Sequence, residues 1–229
     1  MTRTALMIHS PLVGPATLRP LGSVLCTRGL DVMIPDLRSA LTAQPPVWRA
    51  VVDAALIAAA AVESVDVVIA HSGAGTLVPR LARELDPRIV VFVDAVLPGD
   101  GTHHQPGAGF VEFIDSLPND GPLLPPWHEW WGEEMLAQLI PDDVLRGAIA
   151  ADTPRVPRSF FAESVPLPAG WSARAGQCYL QLSPAYADDR ARAAAAGWPH
   201  AGLDGQHLDV AAKPTEVAVA LIDLIVRTG

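Results

Sequence analysis

One stretch, residues 65–79, constrains the fold of this chain more than any other. It starts as a short apolar run rich in β-branched residues, passes through Ser72 and a glycine, and continues with helical spacing. This pattern predicts a strand, a sharp turn and a helix, with Ser72 at the apex, as in a nucleophile elbow. Ala70 and Ala74, two residues either side of the serine, are small enough for the close backbone approach of such a turn. An ordinary strand-to-helix loop has a similar composition, so the turn alone leaves both interpretations open.

The rest of the chain alternates between predicted strands and helices. The strands are short apolar runs, at residues 4–9, 31–35, 65–70, 88–94 and 177–182, with a last short one at 200–203. Segments with helical spacing lie between them, and a closing helix is predicted at 214–226. Strands that are apolar throughout indicate a parallel sheet covered on both faces, so the predicted fold class is α/β.

Residues 98–176 interrupt this alternation. The segment is rich in proline and glycine, contains two clusters of aromatic residues and has no convincing strand. Short helices are predicted near 110–114 and 135–140. Because the segment is too short and too rich in proline for a core of its own, we expect an inserted cap over the sheet. The predicted organisation is a core formed by residues 1–97 and 177–229, with a cap at 98–176.

The composition excludes several classes of partner. A net charge of −9 over 229 residues argues against binding to nucleic acid or to an anionic membrane, since both require a basic face. The longest apolar run, residues 54–62, is far shorter than the ~18 residues of a membrane span. Cys26 and Cys178 lie in apolar segments and are predicted to be reduced core residues. We therefore expect a soluble, cytoplasmic protein.

Taken together, these features resemble the α/β-hydrolase superfamily over nearly the full length of the chain. The markers, in chain order, are His9-Ser10 after the first strand, the turn at Ser72, Phe92-Val93-Asp94-Ala95 at the end of the next strand, the inserted cap, and Asp204-Gly205-Gln206-His207-Leu208 before the last helix. The segment 91–98 is similar to the corresponding strand of the small plant methylesterase and hydroxynitrile lyase group. The resemblance implies an α/β-hydrolase fold in a compact form that lacks the first two antiparallel strands.

The same resemblance implies a Ser-His-acid triad. Ser72 would be the nucleophile and His207 the general base that activates it, since a serine hydroxyl is a poor nucleophile until its proton is removed. Two sites for the acid are known in the superfamily. One follows the strand at 177–182, where this chain has Ser183 and only later Asp188; the other ends the strand after the turn, where it has Asp94. A carboxylate in an apolar strand is costly without a partner, which favours Asp94 and keeps Asp188 in reserve.

The predicted oxyanion hole departs from the family pattern. One donor would be the backbone N–H of Gly73. The second maps onto Pro11, which has no N–H, and losing such a donor typically costs about 3 kcal/mol of transition-state stabilisation. The backbone of Leu12 or Val13, or the Ser10 hydroxyl, could replace it.

Three tryptophans in the predicted cap are candidates for the substrate pocket. Trp127, Trp130 and Trp131 follow a pair of prolines. They would pack the cap onto the core, form an apolar wall of the pocket, or do both, since caps in this fold cover the pocket. His71 is expected to pack under the turn at Ser72. The remaining histidines lack the spacing of a metal site, so no metal or other cofactor is predicted.

The leading hypothesis is a serine hydrolase that acts on an ester, thioester or lactone of a small apolar or aromatic metabolite. The expected partner is that substrate, with a homodimer as a possible assembly. A lyase, epimerase or cyclase with the same fold is an alternative that Pro11 favours. A ligand receptor with a vestigial triad is a third hypothesis, from a different functional class.

Overall fold

The computed structural model describes residues 3–99, 101–118 and 121–229. The strands are β1 Arg3–Ile8, β2 Leu30–Met33, β3 Val67–Ser72, β4 Ile89–Ala95, β5 His103–His104, β6 Val165–Pro166, β7 Gly176–Gln181 and β8 His200–Gly202. The α-helices are α1 Arg19–Thr27, α2 Val47–Ala59, α3 Val78–Leu85, α4 Ala108–Ser116, α5 Glu133–Leu139, α6 Asp143–Asp152, α7 Ala187–Ala195, α8 Asp209–Ala212 and α9 Pro214–Thr228.

Six strands form one parallel sheet in the order β2-β1-β3-β4-β7-β8. The central strands β3 and β4 are almost entirely buried, as their continuous apolar sequences predict. One face packs against apolar residues of α1 and α9, and the other against those of α2 and α3. The α/β class predicted from the sequence is confirmed. In such a sheet the carboxyl ends of the strands lie at one edge, where binding sites collect.

Residues 98–176 contain α4, α5 and α6, and also a small antiparallel pair formed by β5 and β6. The expectation that this segment has no strand is therefore wrong. His103 lies opposite Pro166, and His104 opposite Val165. Each strand has only two residues, too few to produce an alternating pattern in the sequence. The division into core and cap stays a prediction.

Two carboxylates fasten this segment to the elements around the sheet. Asp152, at the end of α6, accepts a hydrogen bond from the Ala16 backbone N at 2.6 Å and pairs with Arg38 at 2.7 Å. Glu163 accepts hydrogen bonds from the backbone N atoms of Val47 and Trp48, the first residues of α2, at 2.7 and 2.9 Å. Each carboxylate thus accepts hydrogen bonds from backbone N–H groups in the first turn of a helix, and these bonds tie the segment to the elements around the sheet.

The two cysteines differ in solvent exposure. Cys178 is buried in β7, whereas Cys26 is exposed, so the prediction of a core position is wrong for Cys26. The helix explains the error, since Leu21 and Leu25 of α1 face the core and Cys26 follows on the outer side. Within residues 3–99, 101–118 and 121–229, no helix combines the length and the apolar character needed to cross a membrane.

Candidate active site

Ser72 ends β3 in a backbone conformation that few side chains adopt. Its φ is 60° and its ψ is −133°, and a short 3-10 turn, Gly73–Leu77, connects it to α3. A β-carbon on Gly75 would lie 2.1 Å from the carbonyl oxygen of Val96, so the turn requires glycine there. Such strain persists only where the surrounding structure enforces it, and it is typical of functional turns. The turn presents the Ser72 side chain at the carboxyl edge of the sheet.

Asp94 is the next-to-last residue of the next strand, β4, and is also strained, with φ at 42°. Its carboxylate is completely buried and accepts four hydrogen bonds. The donors are Leu182 N at 2.7 Å, Ser183 N at 3.0 Å, Ser183 Oγ at 2.6 Å and His207 Nδ1 at 2.7 Å. A buried carboxylate with this set of donors is well compensated for its loss of hydration.

The charge of this carboxylate follows from its surroundings. Burial alone would raise the pKa of Asp94, but the hydrogen bond and charge of His207, together with the bonds from Ser183, bring the pKa below its ordinary value. Asp94 is therefore ionised near neutral pH and fixes the proton of His207 on Nδ1, which leaves Nε2 as the free nitrogen. Of the two candidate acids, the structure brings Asp94 to His207, whereas Asp188 is exposed at the start of α7.

The His207 ring lies between two other rings. The ring of His71 stacks on it at a centroid distance of 4.5 Å, and that of Tyr186 at 5.1 Å. His71 Nε2 donates a hydrogen bond to the backbone oxygen of His207 at 3.0 Å. Burial and, secondly, the charge of His207 lower the pKa of His71 to about 3. His71 is thus a neutral, buried support for His207.

Tyr186 is the residue at this site that the sequence did not indicate. Its hydroxyl forms a hydrogen bond with Ser72 Oγ at 3.3 Å. Among the described residues, Ser72 Oγ makes this hydrogen bond and none to His207. Burial raises the pKa of Tyr186 to about 12, so the phenol keeps its proton near neutral pH. Its only signal in the sequence is its place just after β7, at the carboxyl edge of the sheet.

The loop after β1 holds Ser10 beside Gly73. A β-carbon on Gly73 would be 3.3 Å from Ser10 Oγ, so the hydroxyl and the Gly73 backbone are neighbours. Ser10 Oγ accepts a hydrogen bond from Leu12 N at 3.3 Å, and Ser10 O accepts one from Val13 N at 3.1 Å. Both backbone donors that could have replaced Pro11 therefore already have an acceptor.

His9 holds this loop in place. Its Nδ1 is 2.9 Å from Ser10 O and acts as the donor, because its Nε2 accepts a hydrogen bond from Leu37 N at 3.2 Å. Burial lowers the pKa of His9, so the ring is neutral near pH 7.

Two cavities adjoin Ser72. The larger, of about 320 Å³, has an apolar wall from the segment 98–176 and polar groups around Ser72. Its lining includes Ser10, Pro11, Leu12, Ser72, Gly73, His104, Phe110, Phe160, Phe161, Tyr186 and Asp189. The smaller, of about 20 Å³, lies beside His207 and Trp127. The larger cavity is of the size that a small organic molecule fills.

Trp130 and Trp131 border neither cavity, which corrects the expectation that they line the substrate pocket. Both pack against Phe113, with ring centroids at 5.8 and 5.2 Å, and the Trp130 indole N donates to Pro125 O. Trp131 is 44% exposed. Trp127 borders the smaller of these two cavities, and phenylalanines line the larger one. Across the described ranges, no group of three or more His, Cys, Asp or Glu residues is arranged to hold a metal ion.

Comparison with known proteins identifies the fold. No protein-family model and no curated protein matches the sequence. Among solved structures, an extracellular α/β-hydrolase from a Paenibacillus species, described as homologous in structure and function to tobacco Salicylic Acid Binding Protein 2, matches with a TM-score of 0.72 and 17% identity over 99% of both chains. Tomato Methylketone Synthase I matches with a TM-score of 0.72 and 13% identity over 100% of both chains.

The pyrethroid hydrolase PytH matches with a TM-score of 0.75 and 16% identity over 98% of both chains. These similarities extend over essentially the whole chain. The chain therefore has the α/β-hydrolase fold.

Proposed function

We propose that this protein is a serine hydrolase that cleaves a carboxylic ester, thioester or lactone of a small apolar or aromatic metabolite. The observation that carries the proposal is the arrangement of three groups at the carboxyl edge of the sheet. Ser72 stands on a strained turn, His207 borders the same small cavity as Ser72, and the buried Asp94 is 2.7 Å from His207 Nδ1. An acid, an imidazole and a serine in this order support nucleophilic catalysis.

The proposed reaction has two halves. Ser72 Oγ attacks the carbonyl carbon while its proton passes to His207 Nε2, and the bond to the leaving group breaks as His207 returns that proton to the leaving oxygen or sulfur. Water then attacks the acyl-enzyme, gives a proton to His207, and releases the acid as Ser72 regains its hydrogen. Asp94 keeps the imidazole in the required tautomer and stabilises its cation throughout.

The proposed oxyanion hole combines one backbone and one side-chain donor. Gly73 N follows the nucleophile directly. The Ser10 hydroxyl neighbours Gly73 and accepts from Leu12 N, and because it donates to no other described residue, its hydrogen is available to the oxyanion. A side-chain hydroxyl thus takes the place of the backbone donor that Pro11 lacks.

The two cavities suggest how the substrate is oriented. His207 must protonate the leaving group, and it borders the smaller cavity, whereas the phenylalanine wall borders the larger one. We therefore place a bulky apolar acyl group in the larger cavity and a small leaving group beside His207. The fold similarity to a pyrethroid hydrolase and to an enzyme related to Salicylic Acid Binding Protein 2 supports this class of substrate.

The test is intact-protein mass after treatment with a fluorophosphonate, followed by assay of a panel of acyl esters. Wild type should gain one label and hydrolyse esters with a bulky apolar acyl group. Ser72→Ala and His207→Ala should do neither. Ser116→Ala, which removes an exposed serine whose hydroxyl donates to the Phe113 backbone oxygen, is the matched control and should react like wild type. Absence of labelling in the wild type would refute the hydrolase mechanism.

A second candidate function keeps the fold and changes the chemistry. Pro11 removes one backbone donor, while the hydroxyls of Ser10 and Tyr186 flank Ser72, a set that suits acid–base chemistry without an acyl-enzyme. The structural match with a methylketone synthase is consistent with this alternative. A Ser72→Ala variant that still converts a substrate to which the wild type forms no acyl adduct would favour it.

A further inference from the structure

Tyr186 is fixed at the site from two directions. The short 3-10 turn Pro184–Tyr186 begins at Ser183, the residue whose backbone N and hydroxyl hold Asp94. The Tyr186 ring stacks almost parallel on His207, with 14° between the ring planes. The position of its hydroxyl, 3.3 Å from Ser72 Oγ, therefore depends on the same contacts that place the acid and the base.

We infer that Tyr186 is a catalytic residue, whose phenol hydroxyl donates a hydrogen bond to Ser72 Oγ and stabilises the charge on that oxygen as it attacks the substrate and as it leaves the acyl-enzyme. This inference rests on the proposed hydrolase function. The phenol keeps its proton throughout, and Ser72 still exchanges its own proton with His207.

The direction of this hydrogen bond follows from acidity. A phenol is a stronger donor than an aliphatic alcohol, and with its pKa raised to about 12 the phenol of Tyr186 is protonated under ordinary conditions. If Tyr186 donates, the hydrogen of Ser72 is left for His207, as the general-base step requires. The reverse direction would commit the Ser72 proton to Tyr186.

Tyr186 also lines the larger cavity, so a role as part of the wall is the competing explanation. The two roles affect different kinetic constants. Loss of a wall contact weakens substrate binding and raises KM, whereas loss of a donor to the reacting oxygen lowers kcat. Tyr186→Phe separates them, because it removes the hydroxyl and keeps the ring that stacks on His207.

The experiment compares wild type, Tyr186→Phe and Tyr179→Phe in ester hydrolysis and in the rate of fluorophosphonate labelling. Tyr186→Phe should lower kcat and the labelling rate about tenfold, the effect of one lost hydrogen bond, with KM and melting temperature near those of wild type. Tyr179→Phe is the matched control, since its hydroxyl bonds the backbone N and O of Ala95. It should lower the melting temperature and leave kcat near the wild-type value.

Three results would overturn the inference. If the wild type is labelled and Tyr186→Phe has an unchanged kcat and labelling rate, then Tyr186 is not a catalytic residue, and the proposed hydrolase function stands. An equal loss of kcat in Tyr179→Phe would show a general loosening of the site. A wild type that is not labelled would overturn the proposed function, and with it the role of Tyr186 in that reaction.

Discussion

The edge of the sheet that carries Ser72 and Asp94 is built differently from the cavity wall above it. At the edge, the strained residues are the last of β3 and the next-to-last of β4, and the carboxylate of Asp94 is completely buried with four donors. The wall consists of aromatic side chains that meet edge to face, such as Phe160 and Phe161 at 5.0 Å, and Phe110 is 38% exposed. Asp94 cannot move without breaking buried hydrogen bonds, whereas the wall is held by contacts that tolerate exchange. Substitutions at the edge should therefore change mainly kcat, and substitutions in the wall should change mainly KM.

The largest effect is expected at the buried carboxylate. Asp94→Asn should lower kcat by about 10⁴-fold, because an amide cannot hold His207 in the tautomer that accepts the Ser72 proton. Steady-state kinetics on the best ester substrate would measure it. Asp188→Asn, at the exposed alternative, is the matched control and should behave like wild type. A loss in Asp188→Asn with activity retained in Asp94→Asn would reverse the assignment.

The next effect tests whether a side chain completes the oxyanion hole. Ser10→Ala should lower kcat by about 10²- to 10³-fold, as expected for one lost donor, with little change in KM. Ser10→Thr keeps a hydroxyl and should retain most of the activity. If Ser10→Ala is as active as wild type, then Ser10 belongs to the loop and the oxyanion has another donor.

The sequence predicted the edge of the sheet well and the wall poorly, for a physical reason. A serine between alanines after an apolar strand, and an aspartate at the end of another, leave local signals, because strain and burial restrict which residues fit there. The contacts of Tyr186 and Ser183 depend on how a loop after β7 folds back onto β4, which no local pattern encodes.

The three tryptophans show why the sequence did not predict which residues form the cavity wall. The three tryptophans, at positions 127, 130 and 131, are close in sequence and equally suited to a pocket. Side-chain packing in the segment 98–176 nevertheless places Trp130 and Trp131 against Phe113. Phe160 and Phe161, some 30 residues later, form the wall instead. Aromatic composition therefore predicted that a wall exists, and tertiary packing decided which residues form it.

His71, the buried ring that stacks on His207, should make the free energy of unfolding depend on pH. His71 has its pKa lowered to about 3 in the folded state from an ordinary 6.5, so the unfolded chain takes up a proton first as the pH falls. Its contribution to stability is complete above pH 6.5 and is lost progressively below it, by about 1.4 kcal/mol per pH unit. The free energy of unfolding should fall by about 2 kcal/mol between pH 7.5 and pH 5 from His71 alone.

Urea denaturation at several pH values would measure this slope, and His9, buried with a lowered pKa, adds to it in the same direction. Carboxylates with ordinary pKa values titrate mostly below this window, and Asp189, whose pKa is raised by burial, changes the stability in the opposite direction. NMR of the imidazole nitrogens gives a direct check, since the His71 ring should remain neutral at pH 5. A His71 ring that titrates near pH 6.5 would contradict the buried, neutral support.

The smallest expected effect separates the cavity wall from the packing around it. Phe160→Leu should raise KM for an ester with a bulky aromatic acyl group about tenfold and leave kcat nearly unchanged, because the wall contacts the substrate and not the reacting atoms. Trp131→Leu is the control, since Trp131 borders neither cavity. KM and kcat for a series of acyl chain lengths would show whether only the Phe160 variant shifts the preference. A larger change in Trp131→Leu than in Phe160→Leu would show that the exposed tryptophan, and not the phenylalanine wall, controls access to Ser72.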